Sequence, residues 1–160
     1  MINNAGYERL TPILESGSEV EAIFRRIIDV NILGTYYVTR EAVSRMVSGS
    51  RIVITASVWG KTGMAGFTAY CASKHANIGL MRALADELGL VLAGPNGQGV
   101  VSAPAGLCAQ IVAPYPPRGR IAVASQSGNF VSAFLNYAGQ TGIGISRAVS
   151  AGNAAATSVA

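Results

Sequence analysis

Short apolar runs alternating with stretches of helical spacing predict an α/β protein, a parallel sheet with helices on both faces. Three observations carry this expectation. Apolar residues recur at helical spacing within 19–47, 70–88 and 128–139. Compact β-rich runs, Arg51–Ala56 and Arg120–Ala124 among them, stand between those stretches. Half of the 160 residues are hydrophobic, enough for one buried core, and nothing repeats at a fixed period. Right-handed crossovers are the default for such strand–helix–strand units.

Taken in order, Glu19–Val47 reads as one long helix with Val20, Ile23, Phe24, Ile27 and Ile28 on its apolar face. Gly34 is its weak point. Arg51–Ala56 reads as a buried strand, and the Gly-rich loop Val58–Gly66 follows it. Trp59, Met64 and nearby Phe67 would give that loop an apolar lining. Tyr70–Leu88 is the next helix. Leu90–Ala93 and Val100–Ala103 read as short strands around a GPNGQG turn. Arg120–Ala124 is a strand, Gly128–Gly139 a helix carrying Phe130, Val131, Phe134, Leu135 and Ala138, and Ile143–Val149 a final strand.

Composition narrows the function. All eight acidic residues fall in 1–89, where nine Lys and Arg leave a net +1; residues 90–160 hold no acid and only Arg118, Arg120 and Arg147. Three scattered arginines without an aromatic platform make a poor nucleic-acid stripe, though they could help hold one phosphorylated small molecule. Two cysteines, Cys71 and Cys108, form neither a disulfide framework nor a metal set, and the single histidine, His75, rules out a multi-histidine site. No apolar run reaches the roughly 18–20 residues that span a membrane, and no secretory signal is visible, so a reduced cytoplasmic setting is expected.

The chemistry concentrates in Ser57, Tyr70 and Lys74. On a helix, Tyr70 and Lys74 stand one turn apart on one face. A free tyrosine titrates near about 10, too high for efficient proton exchange at neutral pH, and a neighbouring ammonium favours its phenolate. Ser57, at the end of the strand, would hydrogen-bond the substrate oxygen that Tyr70 protonates. An isolated Tyr-x-x-x-Lys pair is also common as an exposed helical pair. Here it follows Asn3-Asn4-Ala5-Gly6, then Asp29-Val30-Asn31, then Ile54–Ser57, in that order.

With these four motifs in register, residues 1–89 resemble the short-chain dehydrogenase/reductase family. The resemblance implies a Rossmann-like sheet and a catalytic tetrad of Asn31, Ser57, Tyr70 and Lys74. Tyr70 would be the general acid/base and Ser57 would orient the carbonyl or alcohol. Lys74 would lower the tyrosine pKa and hold the nicotinamide ribose, and Asn31 would anchor a water in the proton relay. Asn3, Ala5 and Gly6, with Tyr70 and Lys74, would line NAD or NADP, which supplies the hydride. Helices 19–47 and 70–88 would pack across a homodimer. Because the chain opens at the NNAG segment, with no GxxxGxG before Asn31, an incomplete cofactor cradle is expected.

Gly94–Gly99 (GPNGQG), Ser125–Gly128 (SQSG) and Ser150–Asn153 (SAGN) resemble a second family, the NDP-forming acyl-CoA synthetases related to the succinyl-CoA ligase α subunit. That resemblance covers about 90–158. The order of motifs thus implies a chimera of two α/β families, residues 1–89 and 90–160, joined near Gly89–Leu90 and able to merge into one domain. Ser127 reads as an N-cap at a βα turn, so Ser125, Ser127 and Gly128 could receive a phosphate or another anion, CoA included; a plain cap is the alternative. Three functions are therefore expected candidates: an NAD(P)-dependent oxidoreductase acting on a small carbonyl or secondary alcohol, a CoA-ligase-type fragment, or a non-catalytic chimera.

Overall fold

A computed structural model describes residues 1–111 and 115–153. It forms two compact units, Met1–Leu88 and Gly89–Ala160.

In the first unit, β1 (Ile2–Asn3) pairs in parallel with β2 (Val53–Ile54), Ile2 opposite Val53 and Asn3 opposite Ile54. Their ladder extends through Val53 N to Met1 O and Thr55 N to Asn3 O. Both strands therefore end at one edge, where the Asn4–Gly6 loop and Ser57 emerge together. The carboxyl edge of a parallel sheet is where α/β proteins commonly place ligands. β2 is shorter than the expected Arg51–Ala56.

The expected helix 19–47 is a helical run with an altered centre. α1 (Ser18–Ile28) passes into a π-helical turn at Asp29–Gly34, and α2 (Thr35–Val43) continues it. The widened turn carries Asn31, fully buried, and Ile27 anchors α1 with no exposed surface. α3 (Thr68–Glu87) buries Ala69, Ser73, Lys74, Asn77, Ile78 and Ala85, a stripe at helical spacing. Gly89 (φ +60°) adopts the left-handed conformation just beyond its end.

α3 lacks a capping side chain of its own at Phe67. Thr11 takes that role from far away in sequence: its Oγ1 accepts the Ala69 N–H at 3.0 Å, and its N–H donates to Gly66 O at 2.7 Å. The Thr68 hydroxyl donates to Thr11 O. Against α3 lies the 3₁₀ turn Val58–Gly60. A Cβ on Gly60 would stand 2.8 Å from Lys74 O, so only glycine admits this backbone contact.

In the second unit, β3 (Gly99–Ser102), β4 (Leu107–Gln110), β5 (Arg118–Ser125) and β6 (Ile145–Ser150) make one sheet in the order β4-β3-β6-β5. β5 and β6 are parallel, as expected, whereas β3 runs antiparallel to both β4 and β6. The hairpin Gly99–Gln110 was not expected. Its reversal uses Gly106 (φ +63°), with Gly106 N donating to Ala103 O. Leu90–Ala93 forms no strand; Leu92 is buried, and the following Gly94 N donates to Ala151 O.

α4 (Gly128–Thr141) is capped by Ser127, whose Oγ accepts the Phe130 N–H at 3.2 Å, and ends at Gly142 (φ +75°). Val131, Leu135 and Ala138 pack onto Val101, Ile145 and Ala148 to form this unit's core. Burial of a leucine such as Leu135 contributes about 1.5–3 kcal/mol. Among the described residues no helix is long and apolar enough to cross a membrane, and no group of His, Cys, Asp and Glu could hold a metal ion.

Candidate active site

α3 and the carboxyl edge of β1 and β2 bring Ser57, Tyr70 and Lys74 together. Ser57 lies beside the Tyr70 phenol, where its hydroxyl favours the phenolate. It also accepts the Trp59 N–H at 3.3 Å, which fixes it at the head of the 3₁₀ turn. The Trp59 ring meets Tyr70 edge-on at 5.8 Å and leans on Phe67 at 4.8 Å. This apolar wall holds the phenol in one orientation. Met64 remains exposed.

Lys74 is buried to 4% exposure and donates to Thr55 O at 2.9 Å. Its Nζ lies 5.4 Å from the centre of the Tyr70 ring. An ammonium has three N–H donors, so two remain to meet hydroxyls of a ligand. A Cβ on Gly6 would stand 3.8 Å from Lys74 Nζ and 3.7 Å from Asn31 Oδ1, so the NNAG backbone passes directly over both. Lys74 and the Asn3–Gly6 segment therefore stand where they can meet the hydroxyl groups of a ligand.

The electrostatics differ from the sequence expectation. Burial raises Tyr70 above its ordinary value; the Ser57 hydroxyl opposes this, while the nearby Glu8 carboxylate and Cys71 add to it. Burial also lowers Lys74, opposed by Glu8. The expected lowering of the tyrosine by the lysine is thus not found. The ammonium is bound to a carbonyl and lies over the ring, while partial burial of the phenol disfavours its anion.

Asn31 is bound into the fold through its amide. Its Oδ1 accepts the Tyr7 N–H at 2.7 Å, and its Nδ2 donates to Tyr7 O at 3.0 Å and Ser73 Oγ at 3.0 Å. Both amide hydrogens are spent on holding the Tyr7 backbone and α3. The Asn31 carbonyl accepts the Thr35 hydroxyl at 2.9 Å. Asn3 Nδ2 ties β1 to α2 through Thr39 Oγ1 at 2.7 Å, and Asn4 Oδ1 accepts the Thr55 hydroxyl at 2.9 Å. Ala5 is exposed on the same loop. Residue patterns pointed to neither Glu8 nor Thr11; both act across sequence separations that no local motif marks.

In the second unit the three glycine-rich motifs meet. A Cβ on Gly152 would lie 2.3 Å from Pro95 O, and one on Gly97 would lie 2.7 Å from Ser150 O. Asn153 N donates to Pro95 O at 2.8 Å, and Asn96 Nδ2 to Asn153 Oδ1 at 3.2 Å. Gln98 Nε2 donates to Asn129 Oδ1 at 2.9 Å, joining GPNGQG to α4. Ser125 Oγ accepts the Ser127 N–H at 3.1 Å and Ser127 caps the helix. The amides of Gly128 and Asn129, in the first turn, have no acceptor within the helix. Ser150 Oγ is buried without a hydrogen-bond partner among the described residues.

A family model described as short chain dehydrogenase matches residues 1–91, and one described as succinyl-CoA ligase like flavodoxin domain matches residues 118–160. The (-)-trans-carveol dehydrogenase of Rhodococcus erythropolis is 41% identical over 68 residues, 41% of this chain and 24% of that protein. Acetate--CoA ligase [ADP-forming] I of Archaeoglobus fulgidus is 39% identical over 72 residues, 45% of this chain and 10% of that protein. Among solved structures, ElxO with NADP bound superposes with a TM-score of 0.50 at 35% identity, covering 55% of this chain and 36% of that one. The chain spans about a quarter of the length of the curated dehydrogenases that it matches.

Proposed function

The chain belongs to the short chain dehydrogenase family, and from that premise we propose that it transfers a hydride between NAD or NADP and a small carbonyl or secondary alcohol. The observation that carries this reading is Tyr70 with Ser57 beside its phenol and the buried Lys74 over its ring. Ser57 orients the substrate oxygen. In reduction the Tyr70 hydroxyl gives its proton to that oxygen as hydride reaches the carbonyl carbon, and in oxidation the phenolate takes the proton back. Lys74 and the Asn3–Gly6 segment would hold the nicotinamide ribose, and the bound nucleotide would supply the hydride. Asn31 serves by locking the loop after NNAG to α3. The NADP of the ElxO structure supports a nicotinamide cofactor here too.

Carbonyl reduction followed by loss of NAD(P)H absorbance, across a panel of ketones and aldehydes, tests the proposal. Reduction needs protonated Tyr70, so its rate should hold through neutral pH and fall only as pH rises into the alkaline range. The Glu8→Gln variant removes a charge that raises Tyr70, so that alkaline limb should move to lower pH. A limb that stays put or moves upward in Glu8→Gln would remove Glu8 from the site.

A second reading concerns Ser125, Ser127 and Gly128, at the start of α4, as an anion site for phosphate or CoA. The unpartnered Ser150 Oγ favours it. Ser150 shares a sheet row with Ser125 at the ends of β5 and β6, on the face that carries α4. Inorganic phosphate or CoA should raise the melting temperature of the chain, and less so in Ser150→Ala. A melting curve that neither ligand moves sinks this reading.

A further inference from the structure

The chain between Gly6 and Thr11 is held at both ends beside α3. At one end the Tyr7 backbone is bonded to the Asn31 amide, which also donates to Ser73 Oγ. At the other, Thr11 Oγ1 accepts the Ala69 N–H. Glu8, Arg9 and Leu10 therefore pass the stretch of α3 between Ala69 and Ser73, the turn that carries Tyr70. The Glu8 carboxylate is near enough to Tyr70 and to Lys74 for its charge to act on both. Among the described residues no other carboxylate acts on either group.

The cations of this neighbourhood are committed elsewhere. Arg9 lays its guanidinium 5.1 Å from the centre of the Tyr7 ring, and it donates to the Glu8 carbonyl rather than to the carboxylate. Lys74 is 4% exposed and donates to Thr55 O, whereas Glu8 is exposed. The ammonium thus lies at the base of the site and the carboxylate at its outer edge. A substrate whose oxygen meets Ser57 and Tyr70 has its remaining atoms toward that edge, since Lys74 closes the base. Building on the hydride-transfer reading of this site, on which the inference rests, we propose that Glu8 selects substrates with an alkylammonium group a few carbons from the carbonyl or alcohol. A substrate carboxylate at the same place meets like charge and is rejected.

The test uses the full chain and three ketones of one carbon skeleton, ending in a trimethylammonium, a tert-butyl or a carboxylate group. The first two share a shape, so charge alone separates them. With NAD(P)H, kcat/KM should fall in the order ammonium, tert-butyl, carboxylate. The first step should be roughly five-fold, the size of a solvent-screened ion pair, and added salt should shrink it. Glu8→Gln should bring the ammonium and tert-butyl ketones level, and Glu8→Lys should invert the order. Equal kcat/KM for the three, or an order that survives both substitutions, overturns the proposal and leaves hydride transfer standing. Trp59, the single tryptophan, packs on Tyr70, so its fluorescence reads the binding of each ketone without turnover. Ammonium-selective binding that Glu8→Lys abolishes, with no ketone reduced, keeps Glu8 as the selector of a cationic ligand and ends the hydride-transfer reading. Ketones that neither bind nor react overturn both.

Discussion

The Tyr70→Phe variant should lose roughly 10²–10⁴-fold in carbonyl reduction, the range that a positioned general acid contributes. Phenylalanine keeps the ring against Trp59 and under Lys74, and removes only the hydroxyl beside Ser57. Stability should therefore change little, because Tyr70 is only partly buried and no other part of its packing is altered. Nucleotide affinity, read by NAD(P)H fluorescence, should be kept, since Lys74 and the NNAG backbone are untouched. Reduction at the wild-type rate in this variant would end the proton-transfer assignment. Loss of nucleotide binding along with activity would instead make Tyr70 a structural support of the cofactor site.

The largest stability effect is expected from Asn31→Ala. Asn31 is fully buried and its amide satisfies Tyr7 N, Tyr7 O and the Ser73 hydroxyl. Alanine leaves these groups to find water or go unpaired, at about 1–3 kcal/mol for each that stays buried. A loss of about 2–4 kcal/mol is expected overall, because Tyr7 is only half-buried and recovers part of its hydration. Denaturant unfolding of the full chain reads it as a lower midpoint for the transition of the first unit. A midpoint within experimental error of wild type would show that the Tyr7 clamp contributes nothing to folding.

Residues with short-range logic were readable in the sequence. Tyr70 and Lys74 sit at a helical repeat, Ser57 at a strand end, and Ser127 caps α4 as expected, although the helix runs on to Thr141, past the expected Gly139. The π-helical turn at Asn31 was hidden because its residues continue the helical spacing on both sides. Thr11 was hidden because the helix start it serves lies 57 or more residues away. β4 was missed since Leu107–Gln110 is too short to show alternation and depends on pairing with β3. The raised Tyr70 value could not be read from the Tyr-x-x-x-Lys spacing, because spacing fixes proximity to Lys74 but not the burial of the phenol or the approach of Glu8.

The borrowed cap of α3 has a kinetic consequence. An ordinary helix can form its first turn from its own residues, but the first turn of α3, which carries Tyr70, is held by Thr11. The Ala69 amide is therefore protected from solvent exchange only while the Leu10–Thr11 segment is docked. Each local opening of that segment releases the helix start and the tyrosine together. The readiness of the acid/base group is thus tied to the residence time of a segment that contains none of the reacting atoms.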